Sequence, residues 1–116
     1  MKKQEHRIVT KIIRDLSLLM LNSGHLNFSI DIKEHSGQTV ICFKSKTISD
    51  KVINKIEENM TCERAIEVET YGFELLGDFN AQNELALLGC LTDDVDITKE
   101  ENETIIKIIR KNLYGN

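Results

Sequence analysis

Between Asn83 and Lys111 the hydrophobic period of the chain changes twice. Glu84 to Leu91 carries apolar residues at helical spacing, Val95 to Thr98 reads as a short extended stretch, and after a polar turn the run Thr104-Ile-Ile-Lys-Ile-Ile-Arg110 is strand-like. A helix that feeds a hairpin must lay its apolar stripe on the face of a sheet, and this limits the architectures open to the chain.

The remaining elements fit that limit. From about Gln4 to Asn22, Val9, Ile12, Ile13, Leu16, Leu19 and Met20 recur at helical spacing, with Lys11, Arg14, Asp15 and Ser17 on the other side and Ser23-Gly24 as a stop. Leu26, Phe28, Ile30 and Ile32 alternate with polar residues, which predicts a strand with one dry face. His35-Ser36-Gly37 turns the chain back into Thr39 to Lys44, apolar on both sides as a central strand would be. A second helix follows Ile48, with Ser49 or Thr47 as cap and Val52, Ile53, Ile56 and Met60 facing inward. Thr61 could cap a third, with Ala65, Val68, Tyr71, Gly72 and Leu75 as its buried stripe and Gly77 as terminator. Asn83 caps the fourth, which lays Leu85, Leu88 and Leu91 on one side and the small Ala86 and Gly89 on its close-packing surface. The expected fold is a single α+β domain over residues 1–116: a two-layer sandwich in the order α-β-β-α-α-α-β-β, its mostly antiparallel sheet of about four strands covered on one face by helices.

Composition narrows the function. A chain of 116 residues, 41% hydrophobic and 29% charged, can bury one continuous core without disulfide or metal support. With 5% aromatic residues and a net charge of -4, it has few platforms for stacking bases and no surplus of cations for phosphates, so no nucleic-acid partner is expected. Cys42, Cys62 and Cys90, odd in number and widely spaced, read as reduced core thiols of a cytoplasmic protein. The basic start is followed by a stretch broken by Lys11, Arg14 and Asp15, which fits neither a signal peptide nor a membrane span.

The run Ile12 to Phe43, a long helix ending in Leu21-Asn22-Ser23 and followed by a hairpin, resembles the opening of the histidine-kinase-like ATPases, the superfamily of gyrase, chaperone and mismatch-repair ATPases. Glu84-Leu-Ala-Leu-Leu-Gly-Cys-Leu-Thr92 with its closing strands resembles the last helix and terminal hairpin of that fold. The departures from the family all fall at nucleotide-binding positions. Where the family has an asparagine that holds the phosphate-bridging magnesium, the corresponding position here is near Leu18, in the apolar run Leu18-Leu19-Met20, and leucine offers no oxygen ligand. Phe43-Lys44-Ser45-Lys46-Thr47 replaces the adenine-reading aspartate and its glycines, and Asn80-Ala81-Gln82-Asn83-Glu84 replaces a glycine-rich phosphate turn. The resemblance therefore implies a shortened relative that has lost nucleotide binding, with no cofactor, metal or catalytic residue to carry over.

Each candidate site has a plain reading beside the functional one. Asp93, Asp94 and Asp96 could offer oxygen ligands to a hard cation, yet strand alternation separates them and no glycine folds them round an ion. His6, His25 and His35 are scattered, without metal-ligand spacing. Cys62 at a helix start could be activated, but Glu58 and Glu63 oppose a thiolate. Glu63, Glu67, Glu69 and Glu74 read as an acidic solvated face with Arg64 as its lone cation, or as a docking surface for a basic partner, and either Tyr71 or Phe73 could stand exposed beside them. Basic residues collect at Lys2, Lys3, Arg7, Lys11 and Arg14 and at Lys107, Arg110 and Lys111, again read as a solvated face.

The sequence thus leads to a small non-enzyme, an interaction or regulatory module that meets a protein partner or a second copy through the C-terminal strand Thr104 to Arg110, if that strand is an exposed edge. The alternative is a nucleotide-binding protein with ligands at positions the ATPases do not use.

Overall fold

A computed structural model describes residues 2–60, 63–67, 69 and 81–112. Along the chain run α1 (Lys2–Asn22), β1 (Ser29–His35), β2 (Gln38–Ser45), α2 (Asp50–Asn59), α3 (Ala81–Cys90), β3 (Asp94–Glu100) and β4 (Glu103–Lys111). The strands form one antiparallel sheet in the order β1-β2-β4-β3, and the fold is of the α+β class. Most of the helix expected after Thr61, including Val68, Tyr71, Gly72, Leu75 and Gly77, lies outside the described residues, as do Cys62, Phe73 and Glu74.

Local chemistry sets the element ends. α1 stops in a Schellman motif: Gly24 adopts φ 88°, the left-handed conformation that costs glycine least. Its N–H donates to Leu21 O at 3.1 Å and the His25 N–H to Met20 O at 2.9 Å. Ser36 (φ 52°) and Gly37 (φ 77°) form the two-residue turn between β1 and β2, both left-handed, as the twist of the flanking strands favours. Ser49, rather than Thr47, caps α2, its Oγ accepting the Val52 N–H at 3.4 Å. α3 begins at Ala81, so Asn83 lies inside the helix and is not its cap.

The core lies between the helices and one face of the sheet. Ile8, Ile12, Leu16 and Met20 of α1, Val52, Ile53 and Ile56 of α2, and Leu85, Leu87 and Leu88 of α3 close over Ile41 and Phe43 of β2 and Ile106 and Ile108 of β4. Phe28 leans on Phe43 with ring centroids 6.2 Å apart. At about 25 cal/mol per Å² of apolar surface removed from water, this layer is the main source of stability.

Two expectations about strands change. The apolar side of β1 is not dry: Ile30 is 38% exposed, Ile32 51%, and Leu26, ahead of the strand, 73%. β1 is an edge strand, and Ile30 and Ile32, opposite Phe43 and Ile41, share the helix side of the sheet but lie at its margin. The strand Thr104 to Arg110, in contrast, is interior. β4 pairs with β2 along one edge and β3 along the other, so it has no free edge to offer a partner, and its double-sided apolar pattern reflects its central position.

Candidate functional site

The most concentrated polar chemistry among the described residues sits at the Lys111 end of β4. Strand alternation puts Thr104, Ile106, Ile108 and Arg110 on the helix side, and Arg110 is fully buried there. Its guanidinium grips the Glu5 carboxylate with both arms, Nε to Oε2 at 3.0 Å and Nη2 to Oε1 at 2.7 Å. Nη2 also donates to Glu69 Oε1 at 3.2 Å, and Nη1 donates to the carbonyl of Leu91. Glu5 heads the buried stripe of α1 one turn before Ile8, and the Thr39 hydroxyl donates to its Oε2 at 3.3 Å.

A second fork lies beside the first. Arg64 donates from Nε to Glu69 Oε2 at 2.6 Å, from Nη2 to Glu69 Oε1 at 3.0 Å, and from Nη1 to Asp93 Oδ2 and to the Lys111 carbonyl, both at 2.7 Å. Asp93 Oδ2 also accepts the Lys111 N–H at 2.6 Å, and Gln4 Nε2 donates to the Glu69 carbonyl. Burial pulls the Arg110 pKa down, but its bonds to Glu5 and Glu69 outweigh this and raise it, with Arg64 opposing. For Arg64 too, burial lowers the pKa and the bonds to Glu69 and then Asp93 outweigh it. Both arginines therefore stay charged. Among the described residues every buried side-chain nitrogen and oxygen has a hydrogen-bond partner.

This cluster overturns two sequence readings, those of Glu69 and Arg110. Glu69 is 1% exposed and ion-paired, so it is not part of a solvated acidic face, although Glu63 and Glu67 are exposed. Arg110 is not part of a basic surface patch with α1, since its charge is neutralised inside. Asp93 is held by Arg64 and the Lys111 backbone, while Asp94 and Asp96 lie on the opposite face of the sheet beside Ile109 and Lys107. Among the described residues no group of three or more His, Cys, Asp or Glu side chains could hold a metal.

A groove of about 640 Å³ opens elsewhere, between the C-terminal half of α1 and the outward side of α2. Leu18 is 42% exposed and lines it with Leu19, Asn22, Ser49, Lys51, Lys55 and Asn59. Between helices and sheet the described residues form the apolar core. Asp15, at the groove wall, is engaged by Lys11 at 2.9 Å.

His25 ties two segments of the chain together. Its Nε2 accepts the Ser49 N–H at 3.2 Å and lies 3.3 Å from Ser49 Oγ, which fastens the α1–β1 loop to the start of α2. Cys42 and Cys90 are both half-buried. Cys42 is not a core residue, since it lies on the sheet face away from the helices, with Val40, Lys44, Ile105, Lys107 and Ile109. Val40, Cys42, Ile105 and Ile109 are half-buried there, framed by Lys33, Asp31, Asp94 and Asp96 on the outer strands.

Among the described residues no helix is long and apolar enough to cross a membrane. Comparison with known proteins finds no family model, no curated protein and no solved structure that matches this chain.

Proposed function

We propose that this chain is a non-catalytic interaction or regulatory module that works through the helix-free face of its sheet and has lost nucleotide binding. The observation that carries this reading is the stripe Val40, Cys42, Ile105 and Ile109 on the two central strands, half-buried and flanked by charges of both signs. An apolar centre with a charged rim is the composition of a protein-binding patch. The internal pairing of the arginine cluster supports the same reading, because its strong donors are already saturated within the chain. The double variant V40E/I109E tests it. It should keep the melting temperature within a few degrees yet lose a partner that the native chain retains on an affinity matrix; identical binding by both proteins removes the reading.

The groove favours a second reading, a nucleotide held at positions the ATPases do not use. Lys51 and Lys55, one turn apart on α2, face Asn22 across it and could meet phosphates. Thermal unfolding with and without millimolar ATP and magnesium decides between the two, since a ligand of the folded state raises the melting temperature. The module reading expects no shift; a shift abolished in K51E/K55E establishes the nucleotide reading.

A further inference from the structure

The two edges of this sheet are unlike in charge. On β3, Asp94, Asp96 and Glu100 share one side. If two copies of β3 met antiparallel with their helices on the same side, every register centred between Asp94 and Glu100 would oppose at least one pair of like charges. Asp94 would meet itself, Asp96 or Glu100, Asp96 would meet itself or Glu100, or Lys99 or Glu100 would meet itself. Such a strand is protected against self-pairing.

β1 carries the opposite pattern. Among the described residues no strand pairs with its outer edge, it contains no proline, and Ile30 and Ile32 are left exposed on its helix side. Asp31 and Lys33 lie on its other side, 48% and 74% exposed, joined to each other only by a 3.7 Å contact. We propose that two copies of this chain join edge to edge through β1, antiparallel and centred on Ile32, into one continuous sheet with all helices on one side.

This register uses the whole of Ser29–His35. It places Ile32 against Ile32 of the second copy and Asp31 against Lys33 of the second copy, twice by symmetry. Ile30 meets Glu34, Ser29 meets His35, and no like charges are opposed. Centring one residue earlier sets Asp31 against itself, and one residue later Lys33 against itself. The charges therefore exclude both neighbouring registers, and the length of the strand favours the one that pairs all of it, while the open edge supplies main-chain hydrogen bonds. A lone lysine on an edge strand normally repels a neighbour; Asp31 two residues away makes this edge self-complementary instead. The proposal holds whether or not the helix-free face has a partner.

Sedimentation of the native chain over a rising concentration series, beside D31K and K33D, is the test. The native chain should pass from monomer to dimer. Each single reversal should weaken dimerisation by about tenfold or more, because two attractive cross-strand pairs become repulsive. An equimolar mixture of D31K and K33D should regain dimers, now mixed, since each chain then presents the charge the other lacks. Circular dichroism of each variant checks that the exposed substitutions leave the fold intact. A native chain that stays monomeric at every concentration, reversals that associate as the native does, or a mixture that fails to form mixed dimers overturns the proposal.

Discussion

At the scale of single residues, Arg110 governs the molecule. A buried guanidinium is stable only while its partners remain, because an unpaired charge in the interior carries its full desolvation penalty. Arg110→Met should therefore cost about 3–5 kcal/mol in urea unfolding, mostly by stranding Glu5, and Glu5→Leu should cost a similar amount by stranding Arg110. The double variant E5L/R110M, which leaves Glu69 on Arg64, should be more stable than either single variant. If the two costs simply add, the pair is not coupled as the geometry requires. Raised arginine pKa values stabilise the fold at every pH below the unfolded-state value and are lost only in strong alkali, so this cluster's arginines give no pH dependence in the working range.

Part of this was readable in the sequence. Arg110 keeps the same parity as Ile106 and Ile108, and Glu5 keeps helical phase with Ile8 and Ile12, so both were marked as inward-facing by position. Charge type argued the other way, and it misled because each charge is answered by a residue far along the chain. Glu5 and Arg110 are 105 positions apart. Glu69 gave no such signal, since its burial depends on Arg64 and Arg110 converging on it from different segments.

At the scale of elements, α2 shows how separate parts of the chain fix one helix. Ser49 caps it, His25 holds the Ser49 N–H, and Asp50 in its first turn meets Lys99 of β3 at 2.6 Å. Ser49→Ala should cost about 1 kcal/mol of stability, the usual loss of an N-cap, readable as a shift in the urea midpoint. The hydrogen bond and charge of Lys99 hold the Asp50 carboxyl below its ordinary pKa. A lowered carboxylate pKa stabilises the fold above the ordinary carboxylate range, and the contribution is lost as pH falls through the folded-state value. Both groups are exposed, so the effect on stability is small and weakened by salt. NMR titration should find Asp50 ionising at a lower pH in the native chain than in K99M, with the difference narrowing at high salt. The helix itself was evident from Val52, Ile53, Ile56 and Met60, all of them buried. The His25 contact was not, because a loop residue's reach across 24 positions has no periodicity to betray it.

At the scale of the whole molecule, the last strand of the chain lies in the middle of the sheet. The hairpin β3–β4 was readable from its alternation, as was the central character of β2. The position of β4 was not, since an apolar pattern on both sides fits a buried interior strand and a sticky edge equally well. Its place between β2 and β3 decides the matter and makes the fold depend on contacts between the ends of the chain. Chains of this kind fold slowly, because long loops must close before the central pairing is rewarded. They also open unevenly, with edges loosening before centres. Amide hydrogen exchange should therefore rank the strands. The amides that join β2 to β4, every second one along Val40 to Phe43 and along Ile106 to Ile109, should exchange only by global unfolding. Amides on the outer edge of β3 should exchange by local opening, at rates independent of protein concentration. The outer edge of β1 should behave like β3 in dilute solution and slow as concentration rises, since pairing with a second copy would occupy those groups. Protection strongest on β1 in dilute solution, or weakest between β2 and β4, would contradict the sheet order itself.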